Sequence, residues 1–180
     1  MAEALWRVAA AEGLEAVSLA RVAQEAGVSK GRVQHYFGSR DELLDFAAEQ
    51  LQLRVDERIR TGLTAAHPRT PLDEVRALLV ALLPLDDDAR TDARVGSAFL
   101  IRALGDDRLR ETYRRGNRLL RGAVVDRLAA AGLGGIAPEP DAAILLALAG
   151  GLAESVLLGE HDAASAVAVL DHQLDRLRRG

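Results

Sequence analysis

The stretch Ser18–Asp45, SLARVAQEAGVSKGRVQHYFGSRDELLD, constrains this chain most, because it sets three short helical signals around two tight joints. Ser18 is an N-cap: its hydroxyl can accept from an orphan N–H of a first turn. The helix it opens carries Leu19, Val22, Ala23 and Ala26 at i, i+3, i+4, i+7, one face of a helix. Gly27 ends it, since glycine takes the left-handed conformation that closes helices. Val28 packs the joint and Ser29 caps a second helix, Lys30 to about Phe37. Gly38 ends that one. Ser39 with Glu42 then forms the S-x-x-E capping box of a third.

Two short helices joined by a three- or four-residue turn containing glycine make a helix-turn-helix signature. In that motif the second helix enters the DNA major groove. Val33 and Phe37, four apart, anchor the second helix to a core. Lys30, Arg32, Gln34, His35 and Tyr36 then project from its other sides. Arg and Lys suit guanine, Gln suits adenine, and Tyr and Ser suit phosphate oxygens. A small helical hairpin with a solvated polar face fits the same residue types equally well.

The stretch EGLEAVSLARVAQEAGVSKGRVQHYFGSRDELL resembles the DNA-binding domain of the TetR family of bacterial transcriptional repressors. The resemblance rests on Gly13, Val17-Ser18-Leu19, Val22-Ala23, Ala26-Gly27-Val28-Ser29, Tyr36-Phe37, Ser39-Arg40 and Leu43-Leu44, and it runs without a gap over about 45 residues. It implies that Lys30, Gly31, Arg32 and Gln34 face bases, with Gly31 allowing close backbone approach. Ser29, His35, Tyr36 and Arg40 would hold phosphates. Gln34 stands where the family commonly has tyrosine, and Arg32 where it has a small residue; both point to a different operator, Arg32 to a guanine contact. The family usually carries further residues, often basic, before the first helix. Here that helix opens almost at Met1, so the start is either truncated or armless and no arm contact is assigned.

Composition sets the outer bounds. In 180 residues, 49% are hydrophobic and 3% aromatic, so the core is built of Leu, Ala and Val, which favours helix over sheet. There is no cysteine, which excludes disulfides and thiolate metal sites. No basic-then-apolar leader opens the sequence, so the expected location is the cytoplasm. The net charge is −4, yet Ser18 to Arg40 holds four basic residues (Arg21, Lys30, Arg32, Arg40) against one acid (Glu25), a local +3. Binding of DNA through such a patch falls steeply with salt.

In chain order, residues 2–12 read as a first helix stopped by Gly13, with Trp6 packing the head. The helix from Ser39 runs to about Thr61 with a stripe from Leu43 to Ile59. Two domains are expected, 1–46 for DNA binding and 47–180 for ligand binding and dimerisation. After His67-Pro68, Thr70 caps a helix with Pro71 in its first position, reaching Leu83. Asp86-Asp87-Asp88 could suggest a cation site; no glycine-spaced loop follows, so helix capping is the stronger reading and no metal is assigned. Helices follow at about 88–103 and up to 131, the latter containing Gly116 and Gly122. The glycines of 132–135 form a loop without phosphate-loop features. A helix over 140–158 is apolar enough to raise the membrane question, but Glu154, Ser155 and a glycine pair set it aside.

The last helix, 162–179, carries Ala163, Val167, Leu170, Leu174 and Leu177 at 4-3-4-3 spacing. Leu145, Leu148, Leu152 and Val156 give a matching seam on the helix before it. Such seams serve a four-helix bundle between two copies or an ordinary intrachain hairpin; the TetR resemblance, whose last two helices dimerise, favours the bundle.

Enzyme readings fail on spacing. His35, His67, His161 and His172 lie too far apart to share a metal, and no Ser-His-Asp or HExxH pattern occurs. The expected protein is all-α, about nine helices, with a three-helix helix-turn-helix head on a larger helical body. By resemblance it is a homodimeric repressor of a pseudo-palindromic double-stranded DNA operator, released by a small-molecule inducer within the body; no cofactor is expected. Phe99, Tyr113, Asn117 and Glu154 are the pocket candidates. The C-terminal half faintly resembles choline-responsive repressors, but an aromatic cage needs several rings, so an apolar or amphipathic inducer is expected instead. The competing reading is a helical protein-interaction module without DNA binding.

Overall fold

The computed structural model describes residues 1–132 and 138–179, and among them all regular structure is helical. The order is α1 (Ala2–Glu12), a 3-10 turn (Leu14–Ala16), α2 (Leu19–Ala26), α3 (Lys30–Tyr36), α4 (Arg40–Ala66), α5 (Pro71–Ala81), α6 (Asp87–Ala103), α7 (Asp107–Ala130), α8 (Glu139–Leu158) and α9 (Ala163–Arg179). The glycine-rich loop expected at 132–135 lies, from residue 133 on, outside the described residues.

The caps read from the sequence set these boundaries. The Ser18 and Ser29 hydroxyls accept from the N–H groups of Arg21 and Arg32, and Gly27 closes α2 in the left-handed region at φ 65°. Thr70 and Asp73 form a full capping box around Pro71. Asp86 accepts from the Ala89 N–H at 2.7 Å, so this end of the aspartate run caps α6. Two expectations need correcting. The Ser39 box closes one residue early: Ser39 Oγ accepts from the Glu42 N–H, but Glu42 takes its own bond from the Gly38 N–H, at 2.8 Å, and not from Ser39. And α4 continues to Ala66 instead of Thr61, ending where Pro68 denies His67 the α region; His67 sits at φ 47°.

The chain folds into two compact units. The first comprises Met1–Arg54 and Thr91–Arg115, the second Val55–Arg90 and the described residues from Gly116 on. Packing therefore groups most of α6 and the start of α7 with the helix-turn-helix, a division different from the expected one at 46/47. The core of the first unit gathers Leu5, Val8, Val17, Val22, Leu43 and Leu44 with Val95 and Phe99 of α6 and Leu109 of α7. Phe37 and Phe46 meet there at 5.2 Å between ring centroids. Asp92, 3% exposed, accepts from Arg54 Nε at 2.8 Å, and the Arg54 guanidinium lies 4.7 Å over the Trp6 ring.

The second unit has an aliphatic core: Leu72, Val75 and Leu79 of α5, Val124 and Leu128 of α7, and the inner faces of α8 and α9. The residues expected at a seam between copies face inward within the one chain. Leu145, Leu152, Val156, Leu170 and Leu174 are buried inside the chain, with Leu148, Val167 and Leu177 partly buried against them. The 4-3 spacing found a buried stripe, but periodicity cannot say whether the neighbour is the same chain or another. Helix α8 carries a second stripe. Ile144, Ala147, Gly151, Glu154 and Leu158 repeat at 3-4-3-4 and are all exposed, Ile144 to 52% and Leu158 to 76%. Open space surrounds Gly150 and Gly151. By length and composition α8 could cross a membrane; its inner stripe is committed to the core of this unit.

Candidate nucleic-acid interface

Helix α3 has seven residues, and of these only Val33 is buried, at 0% exposure. Val33 and the half-buried Phe37 hold the helix to the head. That anchoring turns Lys30, Arg32, Gln34, His35 and Tyr36 to solvent together, with Ser29 at their N-terminal end. Tyr36 is 60% exposed and its ring meets His35 edge-on, centroids 5.4 Å apart. Among the described residues nothing hydrogen-bonds the side chains of Lys30 or Arg32. A Cβ on Gly31 would meet nothing nearer than Ser29 Oγ at 4.0 Å. The head itself therefore does not require glycine there, although glycine in a helix costs about 1 kcal/mol relative to alanine. The surface so formed offers cationic, amide and phenolic donors around a backbone that an outside molecule can approach closely.

The basic count of this region is smaller than the sequence suggests. Arg21 donates to Glu12, Nε at 2.9 Å, and to Glu25 at 3.0 Å, while Arg7 donates to Glu25 at 2.8 Å. These bonds tie α1 to α2. They hold the Glu25 carboxyl below the usual range, Arg7 first and Arg21 second, and push the Arg21 guanidinium up through Glu12 and then Glu25. Arg40 is engaged too. Its Nε donates to the Val17 carbonyl at 2.8 Å, and its Nη2 to the Leu14 carbonyl at 2.9 Å and to Glu15 Oε2 at 3.1 Å. The phosphate role expected of Arg40 has its guanidinium already turned inward to the 3-10 turn. No sequence signal marked this, because the partners are backbone carbonyls 23 and 26 residues away. Lys30 and Arg32 remain as the outward cations of α3.

The pocket candidates are divided between the two units, Phe99 and Tyr113 in the first and Asn117 and Glu154 in the second. Phe99 is buried in the core of the first unit and Tyr113 lies exposed on α7. Asn117 and Glu154 are exposed residues of the second unit. A cleft in that unit lies between α5 and α9, floored by the Arg76–Asp171 ion pair at 2.6 Å, and contains none of the four.

Residues 2–46 match the model of bacterial regulatory proteins, tetR family, and residues 71–179 match that of the BetI-type transcriptional repressor, C-terminal. The chain is 36% identical over 99 residues to HTH-type transcriptional regulator PksA of Bacillus subtilis (strain 168), covering 55% of this chain and 47% of that protein. It is 29% identical over 110 residues to HTH-type transcriptional regulator BetI of Rhizobium meliloti (strain 1021), covering 61% and 53%. The matches thus span about half the length of these curated relatives. A transcriptional regulator from Rhodococcus sp. Rha1 superposes with a TM-score of 0.87 at 33% identity, covering 99% of this chain and 94% of that one. A regulator from Saccharomonospora viridis, solved in complex with choline, shares the fold at 19% identity and a TM-score of 0.83, covering 97% and 93%.

Proposed function

Because the chain belongs to the TetR family of DNA-binding transcriptional regulators, with a C-terminal region of BetI type, we propose that it acts as a homodimeric repressor in the cytoplasm. Each copy sets α3 into one of two successive major grooves, about 34 Å apart, on a pseudo-palindromic operator. The observation that carries this reading is the single buried anchor of α3, Val33, which leaves every polar side chain of that helix outward. Lys30, Arg32 and Gln34 read base edges, Arg32 taking a guanine. Ser29, His35 and Tyr36 hold phosphates, and Gly31 lets the backbone come close.

Two copies meet through α8 and α9, on the faces left outside the chain's own core. Ile144, Ala147, Gly151 and Leu158 of α8 supply an apolar stripe, and Ala164 and Ala168 of α9 a small-residue one, all exposed. A second copy would cover them and give the apolar α8 a neighbour on both sides.

An inducer works by linkage: a small molecule that prefers a form with the heads unsuited to adjacent grooves lowers DNA affinity by its differential binding. The second unit contains no aromatic residue, so it cannot form the ring cage that quaternary ammonium favours. An apolar or amphipathic inducer fits better.

Selection from random duplex DNA tests the reading. An enriched inverted repeat whose half-sites lie one helical turn or a multiple apart is expected, lost in an Arg32→Ala, Tyr36→Ala double variant. A folded dimer that enriches no sequence would overturn it.

A further inference from the structure

Resting on that reading, we propose that Arg40 is a positioning residue of the DNA-binding head and not a phosphate ligand. It clamps the start of α4 to the 3-10 turn and thereby fixes the recognition helix α3 from behind. The geometry is specific. Arg40 is the first residue of α4. Its Nε and Nη2 donate to two carbonyls of the 3-10 segment, Val17 at 2.8 Å and Leu14 at 2.9 Å, three residues apart in sequence. Nη2 also reaches Glu15 Oε2 at 3.1 Å. A planar guanidinium meets such a set of acceptors with its fixed fork; a lysine ammonium is a single point on a flexible stem.

What the clamp holds matters for DNA. On its N-terminal side, α3 is placed by packing against α2. On its C-terminal side it is followed by the joint of Phe37, Gly38 and Ser39, after which α4 begins. Val17 lies immediately before Ser18, the cap of α2. Arg40 therefore links the start of α2 to the start of α4 and fixes both ends of the segment that contains α3. Helix α6 reaches the same point: Arg102 contacts Glu15 at 3.5 Å and Asp41 at 3.7 Å. The orientation of the reading surface thus rests on Val33, Phe37 and the packing against α2, with Arg40 closing the far end of the segment from the side turned away from that surface.

Salt dependence of operator affinity separates positioning from phosphate contact. Each cation that neutralises a phosphate contributes about 0.9 to the slope of log affinity against log salt. The test uses the full chain and its selected operator, with Trp6 fluorescence and helical circular dichroism checking the fold. The expected result is that Arg40→Ala and Arg40→Lys both weaken binding about tenfold or more with the wild-type slope kept, whereas loss of one phosphate-neutralising cation per copy would lower the slope of the dimer by about 1.8, about 0.9 from each copy. Arg40→Lys keeps the charge, so it carries the test if Arg40→Ala does not fold. A wild-type-like Arg40→Lys beside an Arg40→Ala that loses slope would overturn the proposal, as would full affinity in both. Failure of the wild-type chain to bind any duplex would instead count against the regulator reading itself.

Discussion

The two units are stabilised by different physics. The first combines an aliphatic core with aromatic rings and directed polar contacts: Arg54 between Asp92 and Trp6, Arg40 on two carbonyls, Arg21 between two glutamates. The second has an aliphatic core, and its ion pairs, such as Arg76–Asp171, sit at the surface. Hydrophobic burial is strong but non-directional, whereas hydrogen bonds to fixed acceptors specify angles. A reading head must hold a short helix at one orientation, and there Arg40 and Arg54 add directed bonds to the packing.

The contrast breaks most visibly at the charge pairs. Arg54→Ala leaves the Asp92 carboxylate buried without that partner and removes the cation over Trp6. The expected loss is about 3–5 kcal/mol, read by urea unfolding, with the change seen in the fluorescence of the chain's single tryptophan. Arg76→Ala removes an exposed pair, and the same experiment should show about 0.2–1 kcal/mol. Equal losses would mean that the units do not differ as described.

On α8 the comparison is between two stripes one residue out of phase. Leu145→Ala opens a cavity in the aliphatic core and should cost about 2–5 kcal/mol. Ile144→Ala, on the outer stripe, should change the folding of the chain little while weakening self-association, measured by sedimentation across a dilution series. If Leu145 instead controlled self-association and Ile144 stability, the assignment of inner and outer faces would be reversed.

How far these features could be read from sequence follows from their range. The caps of α2, α3 and α5 and the turn glycine Gly27 are local, within four residues, and the sequence reading placed those helices to within about two residues. The anchor Val33 and the outward set from Lys30 to Tyr36 follow from the 3.6-residue period alone. What the sequence could not show depends on distant partners. The stripe Leu145–Val156 is visible as a period, but its neighbours on α5 and α9 are not. Arg40 and Asp92 look like surface charges until the fold brings carbonyls and Arg54 to them.

For DNA, Arg32→Ala should cost about 1–3 kcal/mol per half-site of the preferred operator and relax preference at one base pair of each, measured by competition between operator variants. Tyr36→Ala, which removes a phosphate contact, should instead weaken all sequences evenly. A uniform loss for Arg32→Ala would move that residue from base reading to phosphate.

The smallest effect expected is in acid, and it still separates the units. Glu25 in the first unit is held below the ordinary carboxylate range by Arg7 and Arg21. Asp73 in the second is held low by Thr70 and by the N–H groups of Arg69 and Thr70. A carboxyl whose folded value is depressed adds stability above its unfolded value, about 4.3 for Glu and 3.9 for Asp. That contribution is lost as pH falls through the folded value. Neither group titrates between pH 5 and 8, so it contributes no slope there, and its share disappears only below about pH 4. Salt then divides them. The Glu25 contribution rests on partly exposed ion pairs with Arg7 and Arg21, which salt screens, whereas the Asp73 contribution rests mainly on hydroxyl and backbone donors beside it. Acid titrations of Glu25→Gln and Asp73→Ala at low and high salt should therefore converge for Glu25 and stay apart for Asp73. Convergence of both would place the α5 cap under the same electrostatics as the head.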